Sequence, residues 1–437
     1  MTLPNPVILV PGITATYLRD QYRLPPEVVW SVITKDYERV ALHPDNLRYE
    51  LTEPARITPD QLFEVAYREL IEELRFNLPP APDTAIPVFP FGYDWRQPLA
   101  MSEAQLEDFI KEVIDRTKLL RHYHAENYHR NPKVNLIGHS MGGLVIAGYL
   151  ERAGPNASVG KVVTIAAPFR GSLEVVLKVT TGTAELGAGR SGSRERKAAR
   201  LTPALYHLLP TFEGAIKIEP GGYLPDGLFE MDAWQPSILR TIGQFIQLHG
   251  LHPEQHEEQA RSLFGALLDE AKSHRKRLEG FSLAGARLGS NDWLSIVGVD
   301  SKTHVMLNIE KTRNGPQFRL DLSPRENLWD NKDLAKRVKT GDGTVPFLGA
   351  MSSFISPEKV VCVTPDDFGY WELQDRFLSG VAGFHGIMPN MNMLHRMIVQ
   401  FFSPDGPPKH NNIWGRPPPN LPPDAAWDPP IPGLPKK

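Results

Sequence analysis

The sequence predicts an α/β fold with a mostly parallel central sheet, and three consecutive stretches carry that prediction. "KVNLIG" (133–138) is a short apolar run of strand character, "MGGLVIAGYLERAG" (141–154) is a helical stretch closed by Gly154, and "KVVTIAAP" (161–168) is a second strand. Strand, helix and strand joined by tight turns imply parallel strands with helical crossovers.

The remaining elements extend this pattern. "PVILVPG" (6–12) is an apolar strand stopped by Pro-Gly, and "IPVFPFGYDW" (86–95) contains a weaker one. A helix is expected to open at Ser102, where "SEAQ" forms a capping box with Gln105. Leu106, Phe109, Ile110, Val113, Ile114 and Thr117 then make one apolar face. After residue 172 the alternation breaks. "ELGAGRSGSRERKAAR" (185–200) reads as a mobile basic loop in preference to an anionic-surface anchor, and "GGYLPDGL" (221–228) is turn-rich. "EQARSLFGALLDEAK" (258–272) is an amphipathic helix with Ala260, Leu263, Phe264, Leu267, Leu268 and Ala271 on one face. It fits a lid over a pocket and a packed cap helix equally well.

Sheet character resumes at "WLSIVGV" (293–299). A hairpin with an Asn-Gly turn follows (304–322), then a last core strand, "KVVCVT" (359–364), and a closing helix (391–402). This divides the chain into a core of residues 1–172 and 291–402, a mainly helical cap inserted at 173–290, and a tail at 403–437. About a third of the tail is proline, so it is expected as extended coil lying on the surface, not as a recognition ligand.

Composition narrows the function. The chain has 437 residues, 41% hydrophobic and 23% charged, with a net charge of −3. That balance is that of a globular protein and gives no footing for a nucleic-acid partner. Cys362 is the sole cysteine, the opening "MTLPNPVILVPG" has no basic region or long apolar run, and no segment approaches a membrane span. The chain therefore reads as soluble and cytoplasmic.

The chemistry centres on Gly138-His139-Ser140-Met141-Gly142, which fits G-x-S-x-G with a strand before it and a helix after it. The turn there is tight enough to demand small residues two positions either side of the serine. A serine hydroxyl is a weak nucleophile until a neighbouring base takes its proton. An acid and then a histidine are expected C-terminal to the serine in this arrangement, so the adjacent His139 is not the base. His385, in the Gly-rich loop "GVAGFHGIMPN", is favoured over His395, which sits inside an apolar helix. Asp342, in "TGDGTVPF", is favoured over Asp366 and Asp367 to orient the imidazole. Two backbone amides are needed for the oxyanion, and Met141 and Ile13, just past Gly12 in "VPGIT", are the candidates. His122, His124, Glu126 and His129 in "RHYHAENYH" fit a solvated loop better than a metal site, so neither metal nor cofactor is expected.

"ILVPGI" (8–13), "FGYDWR" (91–96), "GHSMGG" (138–143), "IAAPFRGS" (165–172), "TPALYHLLP" (202–210), "GDGTVP" (341–346) and "FHGIMPNMNM" (384–393) stand in the order seen in the lecithin:cholesterol acyltransferase family. The chain resembles that family from about residue 6 to 402, least so in the cap. The resemblance is to a cytoplasmic, bacterial-type member. It implies an α/β-hydrolase fold and a triad carried onto Ser140, Asp342 and His385. It also implies hydrolysis or transfer of a lipid acyl ester through an acyl-serine. Asp94 and Arg96, flanking Trp95, are expected to pair near the active-site loops. Secreted members carry disulfides that this chain cannot make, so sterol and lipoprotein binding are not carried over. The expected reading is a serine esterase of lipid-like esters, with acyl transfer to an alcohol as the alternative. A non-catalytic hydrolase-fold binding protein is the reading from another class. A lipid or hydrophobic ester is the expected partner. Transient membrane-surface contact would come through the cap, and no protein partner is implied.

Overall fold

In the computed structural model, which describes residues 3–182, 192–222, 224–323, 332–369, 372, 375, 383–403, 412–422 and 424–437, six strands make the central sheet. They are β1 (Val7–Val10), β2 (Val88–Pro90), β3 (Val134–His139), β4 (Val159–Ile165), β5 (Trp293–Gly298) and β6 (Val360–Val363). Their order across the sheet is β6-β5-β4-β3-β1-β2, and every neighbouring pair is parallel. β1, β3, β5 and β6 are buried along their whole length, as strands covered on both faces must be.

Helices cover both faces: α1 (Glu64–Asn77), α2 (Leu99–Lys118), α3 (Met141–Ala153), α4 (Gly192–Arg200), α5 (Pro236–His249), α6 (His256–Glu279) and α7 (Asn392–Phe402). α2 starts a turn before the expected capping box. Pro98 occupies the N-cap and its carbonyl accepts the Met101 amide. Leu99 is fully buried, so the apolar face begins there and Ser102 lies inside the helix, buried. Residues 192–200 are also corrected: they form α4, not a loop, with Glu195, Ala198, Ala199 and Arg200 buried, while residues 183–191 lie outside the described part. Arg194 and Lys197 are exposed while Arg200 is buried with the alanines and donates to the Val179 carbonyl, and tertiary packing fixes a helix that composition disguised. The histidine-rich stretch is likewise not a plain loop. It holds a short helix (Arg121–Ala125) and a 3-10 turn (Tyr128–Arg130) around the buried Tyr123, and His122 bonds to the carbonyl of Ala85.

α6 runs well beyond its expected span and is pinned to the core. Its His274 and Arg277 both reach Glu103, a fully buried carboxylate on α2, at 2.7 and 3.1 Å, and Arg277 also pairs with Glu151 on α3 at 2.6 Å. In this structure α6 is packed against α2 and α3. The hairpin strands His304–Thr312 and Gly315–Leu322 do not join the central sheet. They pair with Ile216–Glu219 in a separate three-stranded sheet.

The tail does more than lie on the surface. From residue 412 it runs along β6, the free edge of the sheet, where Cys362 and Arg416 exchange both backbone hydrogen bonds at 2.8 and 3.1 Å. Trp427 donates to the carbonyl of Val360 at 2.9 Å. The fully buried Asp367 carboxylate gathers Trp414 and Lys437 at 2.8 and 3.0 Å together with Arg416. A covered edge cannot template pairing with another chain. Asp367→Ala should cost on the order of 3 kcal/mol in urea unfolding, since it strands a cation in a largely buried pair. Chymotryptic cleavage after Trp414 should accelerate, and an unchanged cleavage rate would show that Asp367 does not hold the tail.

Candidate active site

β3 ends at His139 and α3 begins at Met141, leaving Ser140 alone at the junction with φ 52° and ψ −128°. An L-residue reaches that region only under constraint. The constraint is the approach of α3 to the sheet: a Cβ on Gly142 would come within 2.3 Å of the Val10 carbonyl oxygen, and one on Gly138 within 2.8 Å of the Gly143 nitrogen.

The three side chains singled out in the sequence meet here. Ser140 Oγ is 2.9 Å from His385 Nε2, and His385 Nδ1 is 2.7 Å from Asp342 Oδ2. Because a carboxylate only accepts, Nδ1 carries the proton and Nε2 is left free to receive the serine's. The other carboxylate oxygen, Oδ1, accepts the amides of Thr344 and Val345 at 2.9 and 2.7 Å. The His385 backbone amide donates to the Asp342 carbonyl at 3.1 Å. All three residues are buried or nearly so, which removes water that would compete for these bonds. The competitors are placed elsewhere. His395 gives Nε2–H to the Pro389 carbonyl at 2.7 Å, and Asp367 holds the tail.

The loop after β1 lies against the serine. A Cβ on Gly12 would stand 2.9 Å from Ser140 Cβ, so only glycine lets the loop come this close to Ser140. Three side chains fix that loop: Tyr93 donates to the Pro11 carbonyl at 2.9 Å, Tyr67 accepts from the Gly12 amide at 3.0 Å, and Trp30 donates to the Thr14 carbonyl at 2.8 Å. An apolar pocket opens beside it, lined by Ile13, Trp30, Val40, Trp95, Ala199 and Leu205. Met141, at the first position of α3, is fully buried.

Arg96 is pinned by Asp94 through Nε at 2.9 Å and Nη2 at 2.8 Å, as "YDWR" led us to expect. Sequence reasoning missed its second partner, Glu50, which takes both Nη1 and Nη2 at 3.1 Å. It also missed Tyr67. That residue lies on the buried face of α1 with Leu70 and Leu74, where its ring cannot be told from a packing residue by spacing alone.

Residues 81–235 match the family model described as lecithin:cholesterol acyltransferase. Within that segment the chain is similar to the lecithin:cholesterol acyltransferase family, and its parallel sheet flanked by helices is an α/β-hydrolase fold. The matched segment carries "FGYDWR", "GHSMGG", "IAAPFRGS" and "TPALYHLLP" with Ser140, while Asp342 and His385 lie beyond its end. The likeness supports acyl-ester hydrolysis or acyl transfer as the class of chemistry. No curated protein matches the chain significantly. Among solved structures, "The crystal structure of Tle4-Tli4 complex" shares the fold at a TM-score of 0.54 and 17% identity, over 92% of this chain and 99% of that one. The crystal structure of Paleococcus ferrophilus monoacylglycerol lipase aligns at 13% identity over 61% of this chain and 97% of that one, with a TM-score of only 0.19.

Burial sets the protonation of the histidines around the site. Desolvation, reinforced by the neighbouring His385, pushes His139 down to about 3, and desolvation pushes His395 down to about 4. Unfolded, each would titrate near its ordinary value, so between about 4 and 6.5 the unfolded chain binds protons that the folded protein excludes. Folding stability is therefore retained above that window and lost as pH falls through it. In urea titrations, His395→Gln should reduce the stability lost between pH 7 and pH 5 by roughly 2 kcal/mol. An unchanged pH dependence would mean that His395 titrates alike in the folded and the unfolded chain.

Proposed function

We propose that this chain is a serine esterase acting on lipid-like carboxylic esters through an acyl-serine intermediate. The observation that carries the reading is the unbroken run from Ser140 Oγ through the His385 imidazole to the Asp342 carboxylate, at 2.9 and 2.7 Å. His385 Nε2 takes the hydroxyl proton as Ser140 attacks the ester carbonyl. The imidazolium that forms faces the Asp342 carboxylate, which stabilises it and keeps the ring in one tautomer. The amides of Ile13 and Met141 take up the negative charge on the carbonyl oxygen. His385 then returns the proton to the departing alcohol, and water, activated by the same imidazole, releases the acid. The pocket beside Ile13, about 40 Å³ and lined by Lys178 and Glu195 as well as apolar side chains, suits a small acyl group, and residues 173–290 act as the cap.

Acyl transfer is the second reading, favoured by the family that the segment 81–235 matches. It differs only in the last step, where an alcohol in place of water attacks the acyl-serine. Localisation in the cytoplasm and contact of the cap with a lipid surface belong to the same proposal. Among the described residues no helix is long and apolar enough to cross a membrane.

Ser140→Ala should abolish p-nitrophenyl ester turnover and fluorophosphonate labelling with the circular dichroism unchanged, and retained labelling would refute the nucleophile. Asp342→Asn should lower kcat by about 10²- to 10⁴-fold. Product analysis with a long-chain alcohol in excess separates the two readings: a new ester marks transfer, and free acid alone marks hydrolysis.

A further inference from the structure

Next to the triad lies a second run of buried hydrogen bonds that the mechanism above does not use. The Gly12 amide is 3.0 Å from the Tyr67 hydroxyl, that hydroxyl is 2.8 Å from His139 Nδ1, and His139 Nε2 is 3.0 Å from the backbone carbonyl of His385. The direction of each bond is determined. A carbonyl only accepts, so His139 Nε2 carries a proton. Burial keeps His139 neutral, so Nδ1 is a lone pair and the Tyr67 O–H must donate to it. The Tyr67 oxygen is then left to accept the Gly12 N–H. Every polar group in the run is satisfied, and no other assignment of protons achieves that.

We propose that Tyr67 and His139 are positioning residues, whose one-way chain of hydrogen bonds locks the loop carrying Gly12 and Ile13 to the loop carrying His385. The inference rests on reading Ser140, Asp342 and His385 as the catalytic set. The two ends of the chain belong to different parts of the machinery. Gly12 packs on Ser140 and precedes the Ile13 amide assigned to the oxyanion. At the other end the His385 backbone is held on both sides, its N–H by the Asp342 carbonyl and its C=O by His139. His139 is covalently next to the nucleophile and its ring lies 5.0 Å from that of His385. Nucleophile, base and oxyanion loop are thus tied through two side chains, neither of which touches a reacting atom. A shift of about 1 Å in such an arrangement costs on the order of 100-fold in rate. This assigns a purpose to the histidine of "GHSMGG", which is excluded as the base by its place in the turn.

Tyr67→Phe removes one oxygen and keeps the ring. In p-nitrophenyl ester hydrolysis it should lower kcat by about 10- to 100-fold with KM within about twofold, and slow fluorophosphonate labelling by the same factor. His139→Gln keeps an acceptor for Tyr67 and a donor for the His385 carbonyl and should retain at least about a third of kcat, whereas His139→Leu should fall as far as Tyr67→Phe. The Tyr67→Phe/His139→Leu double variant should lose little more than either single one, because both break the same chain. Tyr123→Phe is the control: it deletes another buried tyrosine hydroxyl, 2.7 Å from the Pro4 carbonyl and outside the site, and should leave kcat unchanged. The proposal is overturned if Tyr67→Phe matches wild type in kcat, changes KM alone, or loses no more than Tyr123→Phe. Should Tyr67→Phe not fold, His139→Gln decides, and a loss as deep as that of His139→Leu sinks the idea. A wild-type protein inert to fluorophosphonate would instead remove the esterase reading, and this inference with it.

Discussion

The contact between the start of α3 and the end of β1 is the constraint on which the site depends. With Gly142 pressed against the carbonyls of Val10 and Pro11, the chain can pass from β3 into α3 only by placing Ser140 in the left-handed region. That strain raises the hydroxyl out of the turn toward His385. The same contact sets the first amide of α3 beside the loop that follows β1. The serine and both oxyanion candidates therefore share one origin, the closeness of a helix to a neighbouring strand. A larger residue at 142 would disturb all of them together.

Around this point the protein uses buried polar groups as fasteners. Arg96, buried and bound by two carboxylates, joins the segment after β2 to Glu50 and to the carbonyl of Val40. Glu103 joins α2 to the cap helix α6, and Asp367 joins the end of β6 to the tail. Each fastener connects parts remote in sequence, and each is nearly sealed from water, where loss of one partner leaves the other uncompensated. Such ties specify an arrangement more sharply than apolar contact, which tolerates sliding. α6 illustrates the point: its apolar face alone suited a lid as well as a packed helix, and the Glu103 network is what holds it on the core here.

Errors in reading the sequence follow a common pattern. Periodicity located the strands at 7–10, 134–139, 159–165, 293–298 and 360–363 because parallel strands covered on both faces are mostly apolar. It misplaced the start of α2, since a good capping box at Ser102 was also compatible with the interior of a longer helix. It took 192–200 for a loop because arginine and serine conceal a short buried face, visible only when something packs against it. Polyproline-like composition foretold a tail without helix, but not that it would be seated along the sheet edge.

What the sequence determined by itself was local: the strand-turn-helix around Ser140, whose glycines are a requirement of backbone geometry, and the sheet strands, whose apolar runs are a requirement of burial. The order of Ser140, Asp342 and His385 was also legible, because each stands among glycines in a stretch C-terminal to a strand of the core. Tertiary structure alone decided that Glu50 would reach Arg96, that Tyr67 would face His139 instead of merely packing, and that the hairpin at 304–322 would pair with residues 216–219. The physical reason is that backbone rules act between neighbours in the chain. A hydrogen bond between residues 46 or more positions apart leaves no periodic trace in either segment.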